Sequence, residues 1–83
     1  MKNDWIELWF ADKTSIINTM RNNLASDVKA GYDPNGHSIR KQIVDIEEYE
    51  SQFNRDADRI KEMDPGKAQH WCYIDLKKRG AIS

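Results

Sequence analysis

Apolar side chains recur along this chain at alternating steps of three and four, the spacing that puts them on one face of a helix. In the first segment Ile6, Phe10, Lys13, Ile17, Met20, Leu24 and Val28 keep that rhythm, and Trp9 and Ile16 widen the stripe. Only Lys13 breaks it. Asp4 followed by Glu7 has the form of a capping box, and Gly31 supplies a left-handed stop, which together bound a helix of about 26 residues. Asp12 to Ser15 brings capping-type and β-branched residues together, a point at which this helix can split in two. The second segment holds Ile39, Ile43, Ile46, Tyr49, Phe53, Ala57, Ile60 and Met63 on one face through about seven turns, with Ser38 as the expected N-cap. Its other faces mix acidic residues with Arg and Lys, as a solvated helix does.

The third segment opens on Asp64-Pro65, which reads as an N-cap followed by proline at the first helical position, and stops at Gly80. A helix over roughly residues 65–79 follows, with Ala81 able to reach Leu76 across the stop. Trp71, Cys72, Tyr73, Ile74 and Leu76 are nearly consecutive, so residues 71–76 also fit a strand, which would have to pair with another chain.

These elements predict one all-α domain over residues 1–83, an antiparallel helical hairpin of two long helices plus a short third helix. A third helix of about 22 Å cannot cover a hairpin of about 39 Å, so an apolar groove is expected to stay open and to be completed by dimerisation. The competing arrangement has the first helix broken near residue 13 and folded over the rest as a compact monomeric bundle.

Length and composition narrow the roles. Eighty-three residues make one domain that buries somewhat over about 60% of its surface, too thin a core for most enzyme architectures. Thirteen basic and 14 acidic residues leave a net charge of −1, so no overall field draws in a polyanion and any nucleic-acid site must be local. The single cysteine, Cys72, has no intramolecular disulfide partner, and no stretch approaches the roughly 18 apolar residues of a membrane span. Glu7 interrupts the apolar run Trp5-Ile6-Glu7-Leu8-Trp9-Phe10-Ala11, which argues against a signal core. A cytoplasmic protein without membrane contact is the expectation.

No catalytic, cofactor or metal site is expected. His70, Cys72 and His37 are three soft ligands without the paired spacing that zinc uses. Glu47, Glu48 and Glu50 with Asp45 lack the Glu-x-x-His pattern of bundle metal sites and read as a solvated face. Asp33-Pro34-Asn35-Gly36 is turn chemistry rather than a calcium loop. What remains is aromatic. Trp5, Trp9, Trp71 and Tyr73 are the candidate partner-binding residues, because such rings bury much area at little rotamer cost. The chain is therefore read as a non-enzymatic protein–protein interaction module that forms a homodimer, docks on a larger protein, or both. The alternative is a small nucleic-acid-binding accessory factor, with Lys77, Lys78 and Arg79 on phosphates and Trp71 on bases.

Ala30-Gly31-Tyr32-Asp33-Pro34-Asn35-Gly36 and the run from Trp71-Cys72-Tyr73-Ile74-Asp75-Leu76 through Lys77-Lys78-Arg79-Gly80-Ala81-Ile82 resemble short uncharacterised helical proteins of bacterial phages and integrative elements. The resemblance spans the last two thirds of the chain and brings no site residues with it. It implies a setting, a mobile element in a bacterial cytoplasm, where small helical proteins act by occupying a surface on a larger one.

Overall fold

The computed structural model describes residues 4–82. Over that span the chain forms three helices, α1 (Trp5–Lys29), α2 (His37–Glu62) and α3 (Pro65–Arg79), and no strand. Residues 71–76 are thus helical, and their backbone groups need no second chain.

The stops work as their residue types dictate. Gly31, at φ 104°, ends α1 in the left-handed region, and the amides of Gly31 and Tyr32 return to the carbonyls of Val28 and Asp27. A side chain at Gly31 would meet nothing within 4 Å, so its dihedral rather than crowding calls for glycine. Gly80, at φ 78°, repeats the motif, with Gly80 N–H donating to Lys77 and Ala81 N–H to Leu76. Asp33 turns the chain between α1 and α2 by accepting from the amides of Asn35 and Gly36. One cap differs from expectation. Gly36, not Ser38, precedes α2, and no side chain caps that end.

The start of α1 is satisfied from two directions. Asp4 accepts from the Glu7 amide at 3.0 Å, while Gln69 of α3 accepts from the amides of Trp5 at 2.7 Å and Ile6 at 3.3 Å. Gln69 also donates to Asp4 at 3.1 Å. The Glu7 amide, and then the Gln69 side chain, hold the Asp4 carboxyl below its ordinary range. Since Gln69 satisfies two helix-end donors at once, Gln69→Leu is expected to lower stability by about 1–2 kcal/mol, measured by urea unfolding.

α1 and α2 form the antiparallel hairpin. Its register is marked by an ion pair of Arg21 with Glu50 and by Gln42 donating to Asp27 at 2.7 Å. Ile17, Ile39 and Ile46 are the buried side chains of this two-helix stretch. α3 runs parallel to α1, since its Gln69 meets Trp5 and its Arg79 meets Asp12. Beyond Asp12, α1 continues for about 25 Å with no third helix beside it. The molecule is accordingly elongated, 47 × 24 × 16 Å. It exposes 6206 Å², where a compact monomer of this size exposes roughly 5,100 Å².

The main core lies where three helices meet, in Trp9, Ala57, Ile60, Ala68, Cys72 and Leu76. Trp9 is its centre, with Phe53 stacked at 5.5 Å and Phe10 and Trp71 edge-on at 5.0 and 5.8 Å.

The break that Asp12 to Ser15 left open does not occur, and α1 runs through it. The reason is tertiary. Asp12 accepts a two-pronged contact from Arg79, with Nε at 2.7 Å from Oδ2. Lys13 pairs with Asp75 at 3.2 Å and lies over the rings of Trp9 and Tyr49. Asp12, a capping-type residue of that stretch, is itself one of the clips that fasten α3 to α1, with Lys13 beside it.

Candidate docking surface

The row Trp9, Lys13, Ile16, Met20, Asn23 and Asp27 is spaced by threes and fours, so one face of α1 runs from the core to the far end of the hairpin. α3 covers the first part of that face. The remainder is a groove of about 450 Å³ whose lining includes Met20, Asn23, Asp27, Gln42, Asp45 and Ile46. This differs from the apolar groove expected from the sequence. Amides and carboxylates share the lining of the uncovered stretch with Met20 and Ile46, and the Gln42–Asp27 hydrogen bond spans it.

Besides Leu8 of α1, which is 45% exposed, the exposed large apolar side chains lie in two places. At the loop end of the hairpin Val28, Tyr32, Ile43 and Val44 are 41, 55, 38 and 48% exposed. The register set by Arg21–Glu50 and Asp27–Gln42 brings Val28 level with Ile43, so these residues lie at the same end of the hairpin. The second place is the outer side of α3. A trough of about 560 Å³ there is lined by Met63, Gly66, Lys67, His70, Trp71 and Ile74, and Ile74 is 38% exposed. Proline at the start of α3 fixes the corner after Met63, and the steps from Lys67 to Trp71 to Ile74 align those side chains along one helix face.

The four aromatic candidates separate. Trp9 is fully buried, which corrects its expected role as a partner anchor. Its indole N–H donates to Asp75 at 2.8 Å, so even its polar edge is engaged. Trp5 and Tyr73 are half-buried and pack edge-to-face on each other at 5.0 Å. Trp71 is also half-buried, with one edge against Trp9 and the rest in the trough. It is the aromatic of the four that borders an apolar depression.

The basic candidates separate too. Arg79 is occupied by Asp12, whose hydrogen bond raises the guanidinium pKa above its ordinary value. Lys77 leans over the Tyr73 ring at 5.6 Å. Lys78 is exposed and makes no ion pair among the described residues. The only carboxylate of α3, Asp75, faces Trp9 and Lys13.

Sequence reasoning missed Met63 and Ile74 as a joint surface, because they belong to different helices and only the corner at Asp64-Pro65 brings them together. It also missed Gln69 and Asp75 as tertiary clips. Lys13 carried a signal, since a cation on an otherwise apolar stripe needs a partner.

Among the described residues no group of three or more His, Cys, Asp or Glu side chains stands close enough to hold a metal ion, and no helix is long and apolar enough to cross a membrane. The chain matches no protein-family model, no curated protein and no solved structure.

Proposed function

We propose that this chain is a non-enzymatic protein–protein interaction module, which pairs with a second copy through the loop end of its hairpin and docks on a larger protein through α3. One observation carries the reading: three helices of this length leave Val28, Tyr32, Ile43, Val44 and Ile74 substantially exposed. Burying such side chains is the main driving force of association. Dimerisation at the hairpin end would cover the stretch of α1 and α2 that α3 does not reach. The setting suggested by the resemblance, a mobile-element accessory or inhibitor protein in a bacterial cytoplasm, accords with a molecule that works by covering a surface.

Sedimentation equilibrium over a wide concentration range tests it. The expected result is a mass that rises with concentration, with association weakened about ten-fold or more by Ile43→Glu. A chain that stays monomeric throughout and binds no apolar-surface dye overturns the reading.

The nucleic-acid alternative draws on one observation, the excess of Lys67, Lys77, Lys78 and Arg79 over the single acid Asp75 in α3. The Arg79–Asp12 pair reduces that excess. A filter-binding titration with an oligonucleotide decides it, because phosphate contacts must weaken steeply as salt rises.

A further inference from the structure

The trough on α3 has a charge pattern that identifies its occupant. Lys67 lines it, Lys78 stands one turn beyond Ile74 on the same helix face, and Arg59 stands one turn before Met63 on α2. None of these three cations makes an ion pair among the described residues. Asp75 is engaged by Trp9 and Lys13, and Glu62 and Asp64 flank Met63 at the corner end of the trough, so its cationic stretch is the α3 side from Lys67 to Lys78. The floor is apolar, through Met63, Trp71 and Ile74.

A second copy seated antiparallel on the α3 side about a two-fold axis would set Lys67 against Lys78 of the other copy, an arrangement of like charges. The backbone around the trough is helical and offers no unpaired edge for strand addition. Both facts favour an occupant of opposite charge whose own backbone is satisfied.

Building on the docking role proposed above, we infer that the α3 trough binds an acidic amphipathic helix of another protein. The apolar residues of that helix, spaced by threes and fours, would seat on Met63, Trp71 and Ile74, with its carboxylates against Lys67, Lys78 and Arg59. Burial on the floor supplies affinity, and the rim cations select for negative charge and speed encounter.

A library of random displayed peptides, selected on the full chain and counter-selected on its Ile74→Asp variant, tests this. The survivors, resynthesised and titrated by fluorescence anisotropy, are expected to carry more Asp and Glu than Lys and Arg, with apolar residues at helical spacing. Their affinity should fall about ten-fold or more on Ile74→Asp. The exposed double change Lys67→Glu and Lys78→Glu, which touches no core residue, should produce a comparable loss and a flatter salt dependence. Circular dichroism of both variants should match the parent. Failure to enrich any peptide, survivors without acidic excess, or affinities indifferent to both variants overturns the inference. An oligonucleotide bound more tightly than any peptide, through Lys67 and Lys78 and regardless of Ile74→Asp, overturns it as well. Sedimentation reads a different surface, so a chain that self-associates yet selects no acidic peptide sinks this inference and leaves the dimerisation at the hairpin end standing.

Discussion

Trp9→Ala is expected to lower the stability of the fold by about 3–5 kcal/mol, the range for removing a large aromatic side chain from a closed core. Trp9 is 0% exposed and touches each part of the three-helix region: Phe53 on α2, Trp71 and Asp75 on α3, and Phe10 and Lys13 on its own helix. Its loss leaves a cavity that Ala68 and Cys72 are too small to refill. It also removes one donor to Asp75, whose remaining partner is Lys13. For a domain whose total stability falls near the lower end of about 5–15 kcal/mol, such a change leaves much of the population unfolded at ambient temperature. Urea unfolding followed by helical ellipticity measures it. Trp9→Phe should fall between, retaining the ring stack on Phe53 but losing the N–H to Asp75. A loss for Trp9→Ala below about 1 kcal/mol, typical of an exposed side chain, would return Trp9 to a peripheral role.

The second large effect concerns Cys72. The thiol is fully buried, and desolvation, with a smaller contribution from Asp75 and then Asp4, pushes its pKa from 9.0 up to about 11. At neutral pH this lowers the thiolate population about 100-fold, before any limit on access is counted. Labelling by a thiol reagent should therefore be slower by more than two orders of magnitude in the native chain than in urea. The linkage has a definite sign. Between pH 9 and 11 the unfolded thiol has lost its proton while the native one keeps it, so stability is complete below pH 9 and falls as pH rises through that window. The loss amounts to about 2–3 kcal/mol. Tyrosines and lysines titrate in the same range, so the reading is the difference in slope between the parent chain and Cys72→Ala. Equal slopes, or rapid native labelling, would mean that Cys72 is open to solvent.

The success and failure of sequence reasoning divide along a physical line. The boundaries of α1 and α3 were legible because glycine, proline and aspartate act on their own backbone: Gly31 and Gly80 take up positive φ, Pro65 begins a helix, and Asp4 accepts the Glu7 amide. The N-cap of α2 was misread, since Ser38 makes no cap and Gly36 holds that position. The stripe of α2 was also sound, with Ile39, Ile46, Ala57 and Ile60 buried as its period requires. Yet Ile43, equally on the stripe, is left exposed, because no third helix reaches its level.

Misreadings cluster where two distant segments meet. Asp12 to Ser15 look like a break until Arg79 and Asp75 arrive from α3. Trp9 looks like a free anchor beside Trp5, since a shift of one residue on a helix turns a side chain by about 100° and periodicity does not resolve which edge of a wide stripe faces inward. Lys77, Lys78 and Arg79 look like a uniform basic patch, yet Asp12 occupies Arg79 and the Tyr73 ring carries Lys77.

What the amino-acid order determined alone is the stop signals and the stripe of α2, because turn residues and periodicity act within a few residues. The unbroken course of α1 and the helical state of residues 71–76 came with the folded structure. Which face of α1 the short helix covers, which tryptophan is central, and where apolar surface is left over were decided by tertiary structure. Those outcomes depend on residues some 65 positions apart, such as the Trp5 amide with Gln69 and the Trp9 indole with Asp75, and the interactions that join them exist only once the chain has folded back on itself.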